Sequence, residues 1–423
     1  MCFSSLSRGQ SALLIGLSLV AATSASQAPP HGQVQKPLQW TTGCLPGPLV
    51  HASIPTCVVP SPSLSDLPDD EGNPWISPPH CADSTPYCVF TSTTFQGNSR
   101  GLSVITSKPS AKSNETSILP SIASIVSSKL SPPVNLPEVP PYEVRQIEDK
   151  GLGVVATRKI RRGKVFMLDY ALVLADVQLP RKMKMAQGRE LLQQAMARLP
   201  DPDRVLGLAR SSPMPDETPV SEDVMRTNSF NVEIGGRGFM ALFPDIARIN
   251  HACKPSAMTK FNETDLSNAV TAFRDILPGE EITISYTAHN LPSPTRQARL
   301  KNQWGFKCTC QLCASSPSIL AASDSRRSKI DKIGPKVLKL VDQGDFEKAI
   351  NLNKELLDLL QEEGMIPHLG DYYEVMGRLY LAWAKTREAR VWFNKALGEY
   401  KGFGVTEGLK ELEGVVKSLS GSS

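Results

Sequence analysis

The pattern of apolar and polar positions changes along the chain and divides it into parts. Between residues 141 and 290, runs such as "GKVFMLDYALVLADV" and "EEITISYT" have the composition of short strands. "RKMKMAQGRELLQQAMARL" and "SPTRQARLKNQW" have apolar residues at helical spacing. Beyond residue 315 the helical period continues almost throughout. The sequence therefore predicts an α+β fold, with a strand-rich domain over 141–290, a helix-containing segment over 291–315 and an all-helical region over 316–423.

Two helical hairpins are predicted in the last of these parts. "KIDKIGPKVLKLVDQGDFEKAINLNKELLDLLQEEG" reads as a helix pair that turns at "QGD". "GDYYEVMGRLYLAWAKTREARVWFNKALGEY" has the small and aromatic positions of a tetratricopeptide (TPR) repeat. Those positions are Gly377, Tyr380, Ala389, Phe393 and Ala396. We interpret the region as TPR-like without a uniform array, with its aromatic residues packed between helices.

The N-terminal third differs in composition, because 18 of the 34 prolines lie between residues 30 and 140. Residues 27–106 also contain Cys44, Cys57, Cys81 and Cys88. This combination predicts a loop-rich, cysteine-containing region with two disulfides, for which three connectivities are possible. Residues 107–140 are rich in Ser and Pro and predict a linker.

The first residues, 1–26, resemble a secretory signal peptide. An early arginine is followed by the short apolar run "SALLIGLSLVAA" and by the small residues of "TSASQA". This pattern predicts a mature chain beginning near Gln27 and a location in the secretory pathway or outside the cell. No other segment approaches transmembrane length, so we predict no transmembrane anchor.

Composition and charge are those of an ordinary globular protein. The hydrophobic content is 40%, the charged content is 21% and the formal net charge is +4. So mild a charge argues against a nucleic-acid surface, and we predict no direct nucleic-acid binding. The sequence leaves the oligomeric state open.

Four late cysteines predict a metal site. Cys308, Cys310 and Cys313 form C-x-C-x-x-C, a spacing too short for unstrained disulfides among themselves. Cys253, in "RINHACKPS", is the only other cysteine beyond residue 88. As thiolates, the four could complete a tetrahedral structural zinc site. The alternative is a set of buried free thiols.

Five motifs occur in an order that is similar to one known family. They are "KGLGVVA", "TNSFNVE", "RINHACKP", "GEEITISY" and "WGFKCTCQLC". Across residues 142–313 the chain resembles the SET-domain protein methyltransferases, in particular the SET and MYND-like branch and its fungal relatives. The MYND insert of that branch is missing, because residues 176–226 contain no cysteine or histidine.

The resemblance implies a methyltransferase dependent on S-adenosylmethionine that modifies lysine side chains of proteins, histone or non-histone. It implies a cofactor pocket beside a knot-like crossing of the chain, a zinc site that holds the pocket wall, and Tyr286 as the catalytic phenol. The cofactor-binding residues that it implies are Lys150, Gly151, Gly153, Asn228, Asn250, His251, Tyr286 and Phe306. The substrate protein and the number of methyl groups stay open.

Two alternatives accompany this prediction. The first is a catalytically silent SET fold that acts as a binding scaffold, either secreted or intracellular. The second concerns location, because a cofactor made in the cytosol and zinc-binding thiolates fit poorly in an oxidising compartment. The nucleus or cytoplasm is therefore the alternative to the secretory pathway.

Overall fold

The computed structural model describes residues 73–97, 100–108, 117–128, 136–211, 213–405 and 408–419. The signal-like segment, Cys44 and Cys57 lie outside these ranges. The strands are β1 His80–Cys81, β2 Tyr87–Ser92, β3 Leu102–Ser107, β4 Tyr142–Ile147, β5 Gly151–Ala156, β6 Val165–Tyr170, β7 Val173–Asp176, β8 Phe230–Ile234, β9 Arg237–Leu242, β10 Asn250–His251, β11 Ala257–Asn262, β12 Ser267–Ala272 and β13 Glu281–Ile284.

These strands form three sheets around one apolar core. The first has the order β1-β2-β3-β7-β9-β8, the second β10-β13-β5-β4 and the third β11-β12-β6. Phe239 of the first sheet, Ile282 of the second and Val270 of the third are all fully buried in the same cluster. The short apolar runs over 141–290 thus form short strands that share a core, and the domain bounds stay predictions.

The first sheet extends into residues 27–106, the region that the sequence predicts to be loop-rich. Strand β3 pairs in parallel with β7, placing Ser103 opposite Val173. The run "LSVITS" is buried along nearly its whole length, as expected for a strand inside a sheet with a neighbouring strand on each side. At the sheet edge, Cys81 and Cys88 face each other across β1 and β2 and form a disulfide.

The predicted linker over 107–140 contains a packed helix. Helix α1, Leu119–Ser127, begins with a proline in its first turn, a position where proline is well tolerated. Its Leu119, Ile122 and Val126 are buried, and Ile122 and Val126 belong to the main core. The helical spacing of these three residues gave a signal that the surrounding serines and prolines obscured.

The remaining helices are α2 Leu179–Lys182, α3 Met185–Ala197, α4 Asp203–Leu206, α5 Val220–Asn228, α6 Ser293–Trp304, α7 Pro317–Asp342, α8 Phe346–Glu362, α9 Leu369–Ala382, α10 Thr386–Gly402 and α11 Leu409–Ser418. Helices α7 and α8 form the hairpin predicted to turn at "QGD", and α9 packs on α10. At Gly377 a Cβ atom would overlap the ring of Phe393, so the close approach of α9 and α10 requires glycine.

The mixed α+β class predicted from the sequence is thus confirmed. The TPR-like assignment and the knot-like crossing stay predictions. Among the described helices, none combines the length and the apolar character that crossing a membrane would require.

Candidate functional site

Two motifs that are distant in sequence, "RINHACKP" and "GEEITISY", meet in the second sheet. Strand β10 lies parallel to β13, with Asn250 opposite Thr283 and His251 opposite Ile284. Ser256 extends this contact, because its hydroxyl accepts the backbone N–H of Thr283 at 3.0 Å. The pairing brings the segment around His251 next to the end of β13, where Tyr286 follows.

His251 joins the predicted catalytic tyrosine to the cysteine cluster. Its Nδ1 accepts the backbone N–H of Tyr286 at 2.9 Å, and its Nε2 lies 3.4 Å from the Sγ of Cys253. Acceptance at Nδ1 places the ring proton on Nε2, pointing at sulfur. Burial lowers the pKa of His251 to about 4, so the imidazole is neutral at physiological pH. Both ring nitrogens are occupied by protein partners, and His251 therefore acts within the framework of the site.

Tyr286 is held as a neutral phenol. Its hydroxyl donates to the carbonyl oxygen of Ile249 at 2.8 Å. Burial, and then the negative charge of Glu281, raise the pKa of Tyr286 above its usual range. Its ring lies 5.1 Å from that of Trp304 and 6.4 Å from that of Phe306, the latter edge to face. This aromatic group forms an apolar wall around one polar hydroxyl.

The four late cysteines converge as predicted. Their sulfur atoms all lie within 4.8 Å of one another. The Sγ of Cys253 is 3.9 Å from that of Cys308 and 3.5 Å from that of Cys313. A tetrahedral zinc with ligands at about 2.3 Å requires sulfur–sulfur distances of about 3.8 Å. The donor set therefore fits a structural zinc ion in both chemistry and spacing.

The electrostatics of the cluster also favour a cation. A hydrogen bond from Cys253 lowers the pKa of Cys313 to about 7, and the same donor lowers the pKa of Cys310. Two of the sulfurs are thereby favoured as thiolates, the form that binds metal.

A buried arginine, Arg296 of α6, lies beside these sulfurs. It is only 1% exposed, and within the described residues its Nε and Nη2 have no hydrogen-bond partner. Burial lowers its pKa, but the nearby sulfurs of Cys253 and Cys313 and the carboxylate of Asp324 together offset this effect, and the net shift is upward. The guanidinium is therefore positioned to compensate part of the negative charge that four thiolates would leave around a divalent ion.

The glycine motif and Asn250 form a polar corner next to the tyrosine. The Nδ2 of Asn250 donates to Glu281 Oε1 at 3.0 Å and to the Leu152 carbonyl at 3.3 Å. Lys150 Nζ lies 2.6 Å from the other oxygen of Glu281. A Cβ on Gly153 would stand 2.6 Å from the Asn250 amide nitrogen, so only glycine leaves the amide this position.

Two further residues of the predicted cofactor-binding set, Gly151 and Asn228, differ in their exposure. Gly151 has a φ of +74°, and a Cβ built there would meet no atom within 4 Å, so its surface is open. Asn228 is buried at the end of α5 and donates its amide to the carbonyls of Ala209 and Val224 at 2.7 and 2.8 Å. The indole N–H of Trp304 bonds to the Thr227 carbonyl at 2.9 Å, which ties the end of α5 to the aromatic wall.

Sequence reasoning missed Glu281, Trp304 and Arg296. Glu281 and Trp304 stand inside the quoted motifs "GEEITISY" and "WGFKCTCQLC", so their positions could have drawn attention to them. Arg296 had no such signal, because an arginine on an amphipathic helix usually faces solvent. Only the tertiary packing of α6 shows that it faces the sulfurs.

A comparison with known families and proteins assigns the domain. Residues 151–287 match the SET domain model. The chain thus contains a SET domain, and the described sheets and cysteine cluster belong to it and its flanks. Within this class it is similar to the SMYD type of lysine methyltransferase. It is 36% identical over 115 residues to N-lysine methyltransferase SMYD2-B of Danio rerio, which is 26% of each chain.

Two human proteins show the same likeness over shorter stretches. Histone-lysine N-methyltransferase SMYD3 is 38% identical over 89 residues, covering 20% of each chain. N-lysine methyltransferase SMYD2 is 34% identical over 87 residues, covering 21% of this chain and 20% of the other. The matched part spans about a quarter or less of the length of these relatives.

Proposed function

We propose that this chain is an S-adenosylmethionine-dependent protein-lysine N-methyltransferase in which Tyr286 is the catalytic phenol. The observation that supports this most directly is the position of His251, whose ring connects the Tyr286 backbone to Cys253. The phenol, the polar corner at Asn250 and the metal cluster are therefore parts of one unit. The similar proteins bear the name lysine methyltransferase, which is consistent with this chemistry.

The residues of the polar corner fit the methyl donor. S-adenosylmethionine supplies a methyl group bound to a positively charged sulfur atom. We assign its amino-acid end to Lys150 and Asn250, where the open surface at Gly151 leaves room for a ligand. Phe306 offers an aromatic face for the adenine ring, and the Asn228 oxygen and the His251 backbone complete the proposed set.

Tyr286 orients the incoming amine. Its proton is directed to the Ile249 carbonyl, so the oxygen lone pairs stay available to accept an N–H of the substrate lysine. Because its pKa is raised, the phenol is neutral and does not remove the lysine proton. A lysine with a pKa of about 10.4 in water loses that proton to solvent as it is desolvated between apolar walls. Alignment of the neutral amine supplies much of the remaining rate.

The cysteine cluster has a structural role in this proposal. Zinc held by Cys253, Cys308, Cys310 and Cys313 would fix Phe306, two residues before Cys308, and His251, two residues before Cys253. Four protein ligands leave no open position, so the metal takes no part in the reaction. Its contribution would be to keep the Phe306 segment and the His251 segment at a fixed distance from each other.

A methyl-transfer assay with labelled methyl donor tests the proposal. The zinc-loaded protein, a Tyr286→Phe variant and a Tyr380→Phe control in the helical region are incubated with histones and with other lysine-rich proteins. We expect transfer by the wild type and the control, and a loss of about 100-fold or more in Tyr286→Phe at nearly unchanged stability. Calorimetric binding of the cofactor without transfer to any protein would favour the silent scaffold. No binding at all would refute the enzyme.

Substrate and location are proposals of the same kind. SMYD3 is named a histone-lysine methyltransferase and SMYD2 an N-lysine methyltransferase, so we propose both histone and non-histone proteins as substrate classes. From residues 1–26 we propose a secretory location, with the nucleus or cytoplasm as the alternative. A mature chain beginning near Gln27 in culture medium would support secretion, and nuclear accumulation of a tagged chain would contradict it.

A further inference from the structure

Two buried charged residues lie where the helical region contacts the SET domain. Arg327 of α7 and Glu363, which follows α8, have side chains that are 1% and 0% exposed. The Arg327 Nε lies 2.9 Å from Glu363 Oε2. A buried ion pair of this kind adds little net stability compared with an apolar pair of the same size. Its presence therefore calls for an explanation other than stability.

The other two nitrogens of Arg327 bind the backbone of the SET domain. Nη2 donates to the Cys253 carbonyl at 3.0 Å, and Nη1 donates to the His289 carbonyl. Cys253 lies two residues after His251, and His289 lies three residues after Tyr286. One guanidinium thus holds the two segments that bracket the site.

The orientation of the guanidinium is fixed from the helical side. Glu363 also accepts the Ser323 hydroxyl and the Arg326 Nε, both at 2.7 Å, so its carboxylate has little freedom to turn. Lys254, next to Cys253, adds a bond to the Glu362 carbonyl at 2.8 Å. Because a guanidinium presents its donors as a rigid planar fork, a fixed Glu363 also fixes the direction of the two remaining nitrogens.

We propose that Arg327 is a positioning residue for methyl transfer, through which the helical region sets the separation of the His251 and Tyr286 segments. This inference rests on the function proposed above. The helical region is then a necessary part of the site, because it supplies the guanidinium that donates to the Cys253 and His289 carbonyls. Removing Arg327 should loosen both segments and reduce transfer even where the fold is intact.

The test separates positioning from stability. Arg327→Met leaves the buried Glu363 without its main partner, whereas Arg327→Met/Glu363→Met replaces the pair by two apolar residues and should restore much of the melting temperature. Lys329→Met is the matched control, since it removes a charged contact with Glu355 within the helical region but no bond to Glu363 or to the SET domain. Full-length, zinc-loaded variants are compared in methyl transfer, zinc release to a chelator and amide hydrogen exchange at residues 251–256 and 286–290.

We expect the double variant to lose about tenfold or more in kcat, to release zinc faster and to exchange those amides faster, although it melts at a higher temperature than Arg327→Met. Arg327→Lys keeps the charge but not the planar fork of donors, and its kcat should be intermediate. Lys329→Met should behave as wild type. Wild-type kcat, zinc release and exchange in the double variant would overturn the inference. If the wild type itself transfers no methyl group, the proposed function fails, while zinc release and exchange still test the role of Arg327.

Discussion

Replacing Gly153 by alanine should damage the polar corner without touching Tyr286, the proposed catalytic phenol. The added Cβ would stand 2.6 Å from the Asn250 Nδ2 and 2.6 Å from the Ile147 Cγ1. The end of the isoleucine can turn away. The amide would have to move by about 0.8 Å to reach ordinary contact distance. Such a shift breaks its bonds to Glu281 and Leu152, which are 3.0 and 3.3 Å long.

The sizes of the losses in folding stability and in cofactor affinity follow from these contacts. A hydrogen bond to a carboxylate and one to a carbonyl together contribute about 2–4 kcal/mol. Alanine recovers about 0.5–1 kcal/mol, because glycine loses more chain entropy in a strand. These two effects leave a net loss of about 1–3 kcal/mol in folding stability. The displaced amide also no longer reaches the ligand, and loss of a hydrogen bond to a charged group, about 1.5–3 kcal/mol, weakens cofactor binding by about 10- to 100-fold.

Titration calorimetry with S-adenosylmethionine measures this effect. Gly414→Ala in α11 is the control, because a Cβ there meets open space and alanine favours a helix. The double variant Gly153→Ala/Asn250→Ala should bind no more weakly than Asn250→Ala alone, since both changes act on the same amide. Wild-type affinity in Gly153→Ala would refute the reasoning, as would full additivity in the double variant.

Two further predictions concern buried charges. Arg296→Gln should weaken zinc binding by about 10- to 100-fold, as measured by competition with a chelator, whereas Arg299→Gln on the same helix should not. Burial, and then Asp245, raise the pKa of Asp169 from 3.8 to about 6, so the folded protein holds this proton more tightly than the unfolded chain. The stability contribution of Asp169 is therefore complete below about pH 4 and is lost as the pH rises through about 6. The difference in unfolding free energy between the wild type and Asp169→Asn should fall by up to about 3 kcal/mol over that range.

The sequence revealed the parts of the site that depend on residue type and order. The cysteine spacing predicts the sulfur cluster, and the family resemblance of the ordered motifs predicts that His251 and Tyr286 lie around one cofactor pocket. In the structure the two residues meet because β10 pairs with β13, a long-range contact that neither motif shows by itself.

What the sequence could not show is contact between distant segments. Nothing local in "LSVITS" indicates that β3 pairs with β7, some 70 residues later. Likewise, Arg296 and Arg327 resemble the solvent-exposed arginines found on any amphipathic helix. Their burial results from the way α6 and α7 pack on the cluster, and that packing gives both residues their proposed roles.

The most direct test is a calorimetric titration of S-adenosylmethionine into the zinc-loaded protein and into the same protein after zinc removal by a chelator. Because the cluster holds Cys253, and through it His251 and Tyr286, we predict binding to the zinc-loaded protein and recovery of binding when zinc is restored. Equal affinity with and without zinc would contradict the claim that the cysteine cluster and the methyl-transfer site are one unit.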